Sequence, residues 1–238
     1  MGFFEIYIYQ PFLNILVGFY SLTEKIFATP DMGIAVIFFA ISVRLILLPL
    51  DMVADRSDEE KIAIAKKIND IKQEYADNPA VIKEQIKAVM KQSPGAILSE
   101  VFTVLVQFTI IIVLYRIFKT GLEGADLHLI YSFMPTINEP INLLFLGKYD
   151  LSHTNNFLNL VQSFMIAINE YISLNLSPIK PSRRDFLSLV VIFPIVSFLV
   201  FMFLPAGKKV FIISSLGFSI ILRLIRHFSY LISNSGRL

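Results

Sequence analysis

Arg44 is the only charged residue in an apolar stretch that covers residues 33–50. As a helix, these 18 residues would rise roughly 27 Å, about the thickness of the hydrocarbon core of a bilayer. An arginine inside such a span costs at least about 2.5 kcal/mol by insertion scales, so it normally faces protein or trapped water and indicates a functional site. Its chemistry is the attraction of negative charge. The alternative is that its long side chain only reaches the nearby headgroups, since Leu50 is six residues away.

Uncharged polar side chains in other apolar segments form a second set of candidates. Asn159, Gln162 and Asn169 fall on one helical face of residues 156–176. Such a stripe must meet other polar groups or water, because hydrocarbon offers no hydrogen-bond partner. A water-filled pocket and dry interhelical hydrogen bonding are both possible interpretations. Together with Arg44, the candidate site comprises Gln107, Asn159, Gln162, Asn169, Ser197, Ser215 and Ser219.

The residue types that most enzymes and metal sites use are missing from these segments. The chain has no cysteine, which excludes disulfides, thiolate metal sites and a cysteine nucleophile. Its three histidines lie in loops or near the ends of apolar segments, and Glu170 is the only acidic residue within one. No metalloprotease, nucleophile-elbow or phosphate-loop motif occurs. The sequence therefore predicts a protein that is not an enzyme and that uses no cofactor or metal.

The composition assigns these residues to an integral membrane protein. Apolar residues make up 55% of the 238 residues, which is too hydrophobic for a soluble domain of this size. Five apolar segments are long enough to span a bilayer as helices. They cover residues 33–50, 101–118, 156–176, 186–204 and 210–228. The predicted fold is an all-α membrane protein with five transmembrane helices.

The segments between the spans have their own patterns. In residues 1–32, apolar side chains at steps of three and four predict an amphipathic helix lying on the membrane surface. Residues 51–100 carry eight Lys or Arg and ten Asp or Glu, and the capping signals at Ser57 and Asn78 predict a solvated hairpin of two helices. Residues 119–155 predict short interfacial helices and turns. Residues 177–185 form a basic loop, and residues 229–238 form a tail.

Positive charges predict the orientation of the chain. The hairpin, the basic loop and the C-terminal end together carry fourteen Lys or Arg, whereas the opposite side carries five. Because basic loops remain in the cytoplasm, the hairpin, the loop and the C-terminus are predicted to be cytoplasmic and the N-terminus to be outside. Arg44 then lies in the cytoplasmic half of the cell membrane.

Short motifs occur in an order that resembles the YidC/Oxa/Alb family of membrane protein insertases. No single motif is specific, but an arginine-bearing span, a charged hairpin and four further spans together are. Departures at Thr109 and Leu216 indicate a divergent, short member of the family. The motifs are residues 9–14 (Tyr-Gln-Pro-Phe-Leu-Asn), 31–35 (Asp-Met-Gly-Ile-Ala), 43–50 (Val-Arg-Leu-Ile-Leu-Leu-Pro-Leu), 71–75 (Ile-Lys-Gln-Glu-Tyr), Gln107 with 114–116 (Leu-Tyr-Arg), 145–147 (Phe-Leu-Gly), 150–152 (Asp-Leu-Ser) and 204–207 (Leu-Pro-Ala-Gly).

The resemblance implies a mechanism and a set of partners. The family has five spans around a hydrophilic groove that opens to the cytoplasm and to lipid but is closed outside, and its groove arginine matches Arg44. A client segment with a polar or acidic tail would enter from the cytoplasm, and its apolar helix would move sideways into lipid. Implied partners are newly made membrane proteins and the bilayer, with the ribosome and a Sec translocon as candidates and no specific nucleic acid. A bacterial source is expected.

Two other function classes remain open. A small anion channel or transporter would use Arg44 and the polar face of residues 156–176, although the chain has no internal repeat and no pair of broken helices. A non-catalytic assembly factor would only hold membrane partners together. An insertase needs the cytoplasmic hairpin and an open lateral side, whereas a transporter needs neither.

Overall fold

The computed structural model describes residues 2–27, 29–76, 78–91, 94–135, 140–176 and 181–235, some of them by backbone alone. The described chain is mainly helical, with one short antiparallel hairpin that pairs Phe145 with Tyr149. Its elements are α1 (Gln10–Ile26), α2 (Met32–Glu74), α3 (Pro79–Lys91), α4 (Pro94–Arg116), β1 (Leu144–Phe145), β2 (Tyr149–Asp150), α5 (Asn156–Leu176), α6 (Arg183–Phe186), α7 (Phe193–Phe201) and α8 (Ala206–Ser235).

Helix α2 is longer than the sequence indicated. It runs without a break through Pro49, whereas the prediction was a span that ends at Leu50 and a new helix capped by Ser57. A proline inside a helix removes one backbone hydrogen bond and tends to kink the helix rather than end it when neighbouring turns are favourable. The residues that follow it include Met52 and Ala54, both strong helix formers, and no glycine. The prediction of a break between residues 50 and 57 was therefore wrong.

The chain packs as two compact units. The smaller unit, Leu45–Thr109, contains the C-terminal part of α2, helix α3 and the first part of α4. In α3 the predicted apolar stripe of Ile82, Ile86 and Val89 is half-buried, and the charged residues between these positions are exposed. The side chain of Asn78 caps this helix by accepting a hydrogen bond from the Val81 amide.

The larger unit, Met1–Arg44 with Ile110–Leu238, holds the rest of the chain. Helix α1 belongs to its core, since Leu13, Leu16 and Val17 are fully buried. The sequence analysis predicted only a helix on the membrane surface and did not predict this packing. The N-terminal segment thus has two apolar faces. One face packs in the core, and the predicted stripe lies on the other, where Phe4 and Ile15 remain exposed.

Three helical segments among the described residues are long and apolar enough to cross a membrane: Met32–Pro49, Arg183–Phe201 and Ala206–Phe228. They coincide with the first, fourth and fifth predicted spans. Helix α5 has 21 residues, but its polar stripe lowers its hydropathy. The second predicted span falls in α4, where several side chains lie outside the described residues. In the fourth span a π-helical turn, Leu187–Ile192, leads directly into Pro194 of α7.

Candidate functional site

Helices α5 and α8 run side by side in the same direction. The Lys209 ammonium donates to the Asn155 carbonyl (3.2 Å), and the Arg223 guanidinium donates to the Asn169 carbonyl (3.4 Å). Both pairs are separated by 54 residues, so the register between the two helices is constant along their length. At this offset, Ser215 of α8 is level with Val161 of α5, the neighbour of Gln162.

Arg44 meets this helix pair at the same level. Its Nε donates a hydrogen bond of 2.5 Å to Oγ of Ser215, which is itself buried. Ser215 follows the first residue of α8 by nine positions, so the contact lies roughly 14 Å along that helix. The sequence predicted both residues for one site, and the structure brings them together.

The polar stripe of α5 is buried but incompletely hydrogen-bonded. Asn159 and Gln162 have no exposed surface, and Asn169 is 7% exposed. Asn159 donates from Nδ2 to the Phe198 carbonyl (2.8 Å), and Asn169 donates to Glu170 (3.0 Å). No hydrogen-bond partner among the described residues reaches the side-chain oxygen of Asn159, that of Asn169, or either the nitrogen or the oxygen of the Gln162 amide. Buried polar atoms are rarely left unpaired, so this surface is suited to water or to a polar group from outside the chain.

The other predicted residues differ in their surroundings. Ser197 is buried on α7. The Ser219 hydroxyl donates to the Ser215 carbonyl (3.0 Å), so its hydrogen bond remains within α8. The side chain of Gln107 lies outside the described residues, and its place in the site stays a prediction.

The sequence analysis missed three polar residues of this region. Ser163 is buried beside Gln162, and its Oγ has no partner among the described residues. Its position four residues after Asn159 could have identified it. Lys208 and Lys209 were counted among the five basic residues of the outer side, yet both are buried.

At one end of the larger unit the β-hairpin packs on the start of α2, and we name this the hairpin end. Asp31 caps α2 by accepting from the Gly33 amide (2.7 Å), and its other oxygen accepts from the Leu146 amide (2.7 Å). The ring of Phe145 lies against Gly33 so closely that an added Cβ would be 2.0 Å from Cδ2. Two family motifs, residues 31–35 and 145–147, are therefore in direct contact.

The start of α8 is fixed at the same end. The amides of Ala206 and Gly207 donate to the carbonyls of His153 (2.8 Å) and Leu151 (2.9 Å). Gly207 faces the ring of Phe118, where an added Cβ would be 2.6 Å from three ring atoms. The motif of residues 204–207 thus lies where α8, the hairpin and the segment that follows α4 are in close contact.

Polar side chains of α1 bind the segment that follows α4. Gln10 and Asn14 both donate to the Leu129 carbonyl (3.0 Å each), and the Asn14 oxygen accepts from the Tyr131 amide (2.7 Å). Tyr20 accepts from the Asn142 amide (2.9 Å). Here the buried polar groups are paired with protein, in contrast to those of α5.

A charged cluster joins the N-terminus to the end of α4. Tyr9 donates to Asp126 (2.6 Å), and Arg116 donates to both Asp126 (3.1 Å) and Glu5 (2.7 Å) while its guanidinium lies 4.0 Å from the centre of the Tyr9 ring. Burial alone would raise the pKa of Asp126, but the hydrogen bonds from Tyr9 and Arg116 lower it below its ordinary value. Burial and the bond to Asp126 raise the pKa of Tyr9, so the phenol remains a donor.

The larger unit therefore combines two kinds of polar interior. Near the hairpin end, polar groups are paired and hold the segments together. Along α5, beside the Arg44–Ser215 contact, polar atoms are left available. Among the described residues, no group of three His, Asp or Glu side chains could hold a metal ion. The arrangement can attract an anionic or polar group and offer it hydrogen bonds.

Comparisons with known proteins are consistent with this arrangement. A family model described as 60Kd inner membrane protein matches residues 23–230. The chain is 21% identical over 204 residues to a protein of Chlorobium limicola, which covers 86% of this chain and 33% of that protein. It is 21% identical over 212 residues to a protein of Prosthecochloris aestuarii (89% and 35%), and 23% identical over 175 residues to one of Fusobacterium nucleatum (68% and 84%). All three are named membrane protein insertase YidC.

The chain spans about a third of the length of the Chlorobium and Prosthecochloris relatives, but most of the shorter Fusobacterium protein. The family model covers nearly the whole chain, including Arg44, the α5 stripe and the hairpin end. Four of the motifs that resembled the YidC/Oxa/Alb insertases meet in pairs within the larger unit: residues 31–35 contact residues 145–147, and residues 204–207 contact residues 150–152. This chain belongs to the 60Kd inner membrane protein family, the YidC/Oxa/Alb family that its motifs indicated.

Proposed function

We propose that this chain is a membrane protein insertase, which receives client transmembrane segments from the cytoplasm in a hydrophilic groove and releases them sideways into the bilayer. The supporting observation is the set of buried polar atoms on α5 without partners among the described residues, at the level of the Arg44–Ser215 contact. The names of the similar proteins support the same activity.

In the proposed topology the chain crosses the membrane five times, with the N-terminus outside and the hairpin, basic loop and C-terminus in the cytoplasm. The lengths of α4 and α5, 23 and 21 residues, support two spans in addition to the three most apolar helices. Helix α1 would lie at the outer surface with Phe4 and Ile15 towards lipid.

The mechanism follows from the polar character of this interior. A client tail that carries a carboxylate is attracted by Arg44, since the two charges interact through an interior of low dielectric constant. The unpaired amide nitrogen of Gln162 can donate a hydrogen bond to the tail, and the unpaired oxygens of Asn159 and Gln162 can accept hydrogen bonds from the water around it, which hydrocarbon cannot do. The client's apolar helix gains by leaving the groove for lipid. This mechanism uses no covalent step, nucleotide or metal.

The activity itself is tested by complementation. A cell depleted of YidC is supplied with this chain, and insertion of a single-span test protein is scored by protease protection of its translocated tail. Rescue is expected for the chain with its natural Arg44. The proposal is refuted if the chain is present in the membrane at normal levels and no tail becomes protected.

The groove is tested by thiol labelling, for which the absence of cysteine gives a clean background. Single cysteines replace Gln162 and Ser215, with exposed apolar positions Phe38 and Ile112 as controls. A membrane-impermeant reagent added from the cytoplasmic side should modify the first pair and not the second, because only a hydrated thiol ionises.

The same reagent added from outside should modify neither groove position. Labelling of Gln162→Cys from both sides would favour a channel instead. Absence of labelling from either side would show that the α5 stripe only joins helices in a dry bundle.

A further inference from the structure

Lys208 and Lys209 form a buried cationic pair in the first turn of α8. Lys209 has no exposed surface and Lys208 is 3% exposed, although lysine is among the residues least often buried. The Lys209 ammonium donates to the Asn155 carbonyl (3.2 Å), and the Lys208 ammonium lies 4.5 Å from the centre of the Phe201 ring. Neither interaction supplies a negative charge.

Within the part of the chain that the structure describes, neither lysine forms an ion pair with a carboxylate. The carboxylate of the adjoining hairpin, Asp150, is bonded to Ser152 (2.7 Å) and His153 (3.0 Å). The lysines also lie at the start of a 30-residue helix, where the helix dipole adds positive potential. No carboxylate of the described residues thus balances the charge of this pair, as one normally would in a protein interior.

The pair lies at the hairpin end of the α5 polar stripe. Lys209 binds the carbonyl of Asn155, the residue that precedes α5, and Asn159 with its unpaired oxygen follows one turn later. Along α8, Lys209 precedes Ser215 by six residues, or roughly 9 Å. A group that moves along the stripe from the Arg44 level towards the hairpin end therefore approaches the lysines.

We propose that Lys208 and Lys209 are a charge filter that sets which client tails cross: acidic and neutral tails pass, and tails that carry Lys or Arg are rejected. This inference rests on the proposed insertase function and adds to it a second pair of residues that selects between client tails. The lysines act by their field and need not contact the tail, so their burial strengthens the effect, because a buried charge is weakly screened. The positive potential makes a basic residue that passes it less stable and an acidic residue more stable.

The size of the effect follows from Coulomb's law. At a separation of about 10 Å and the effective dielectric constant typical of proteins, one charged lysine changes the free energy of a charged tail residue that passes it. The change is enough to alter the insertion rate of that tail by about tenfold. The effect has opposite signs for acidic and basic tails. The ratio of their insertion rates should therefore change by more than either rate alone.

The test uses the full chain in lipid vesicles and three clients that differ only in one tail residue, which is Asp, Asn or Lys. The Lys208→Gln/Lys209→Gln double variant is compared with the Lys208→Arg/Lys209→Arg variant, which keeps both charges. Lys148→Gln is the matched control, since it removes an exposed lysine from the adjoining hairpin. Thermal unfolding of each variant checks that it is folded.

The expected result is that the glutamine variant inserts the Asn tail at the wild-type rate and loses at least about tenfold in its preference for Asp over Lys. The arginine variant and the Lys148 control should keep that preference. Equal loss for all three tails would assign the lysines a packing role, and an unchanged preference would remove the filter. If the loss occurs only in vesicles that contain anionic phospholipid, the lysines act through a lipid phosphate and the proposal is wrong. Failure of the wild-type chain to insert any tail would refute the insertase function itself.

Discussion

Gly33→Ala tests the closure of the hairpin end by a single methyl group. The new Cβ would lie 2.0, 2.4 and 2.7 Å from Cδ2, Cγ and Cβ of Phe145. Carbon atoms at rest are about 3.5–4.0 Å apart, so the hairpin must withdraw by about 1.5 Å. Rotation of the ring cannot relieve the clash, because Cβ of Phe145 is fixed to the hairpin backbone. Withdrawal also stretches the 2.7 Å bond from the Leu146 amide to Asp31.

The expected cost combines two effects. Overpacking costs about 1–3 kcal/mol, and weakening a hydrogen bond to a carboxylate costs up to about 1.5–3 kcal/mol. Because withdrawal relieves the first at the expense of the second, we expect a total of about 2–4 kcal/mol. For a chain of this length, that lowers the midpoint of thermal unfolding by roughly 5–15 °C, measured by far-UV circular dichroism in detergent.

Gly217→Ala is the matched control within a helix. Its Cβ would lie 3.7 Å from the Met165 methyl, an ordinary contact, and alanine is a better helix former than glycine. The control should therefore unfold at the same temperature as wild type or slightly above it. Phe145→Ala should be less costly in the Gly33→Ala background than alone, because the ring atoms that clash are gone. Equal melting of the two glycine variants would refute the close packing of hairpin and helix.

Three further predictions concern charge and the hairpin. Arg44→Ala should lower insertion of acidic tails more than of neutral tails in the vesicle assay, and Arg44→Lys should retain part of the difference, since attraction needs charge more than a bidentate fork. The pKa of Asp126 in the folded protein is below its ordinary value of 3.8, so its bonds to Tyr9 and Arg116 stabilise the fold above about pH 4 and are lost as the pH falls through the folded pKa. In a plot of melting temperature against pH, Asp126→Asn should therefore reduce the fall in melting temperature on the acid side. Replacing residues 57–92 with a Gly/Ser linker should leave a folded protein in detergent that no longer rescues a depleted cell; full rescue would favour the transporter interpretation.

Local features were predictable from the sequence because their signals lie close together in the chain. Arg44 was found from one charge in an apolar run, and three spans were found from hydropathy alone. The predicted break between residues 50 and 57 was wrong because the helix formers on either side of Pro49 outweigh the effect of the proline as a stop signal. The two apolar faces of α1 overlap in sequence, so the more regular stripe concealed the face that packs in the core.

Contacts between distant motifs could not be derived from spacing. Asp31 and Leu146 are 115 residues apart, and each carries only a local signal: a helix cap for the first and a glycine turn for the second. Leu146 adopts φ of 53°, which sequence would assign to glycine or asparagine before leucine. The burial of Lys208 and Lys209 is likewise a property of the packed fold, since lysines at a span end are normally solvated.

Asparagine and glutamine side chains have different roles in different parts of the larger unit, and only the fold distinguishes them. Asn14 and Asn142 form hydrogen bonds with backbone groups of other segments, so their side chains are paired within the protein. Asn159 and Gln162 have no exposed surface, and they leave amide atoms unpaired among the described residues. An unpaired buried amide costs free energy unless water or a ligand satisfies it, so these positions are stable only if something polar reaches them. In the proposed insertase, the polar tail of a client and the water around it would satisfy these atoms, which is why unpaired amides suit a groove that receives such tails.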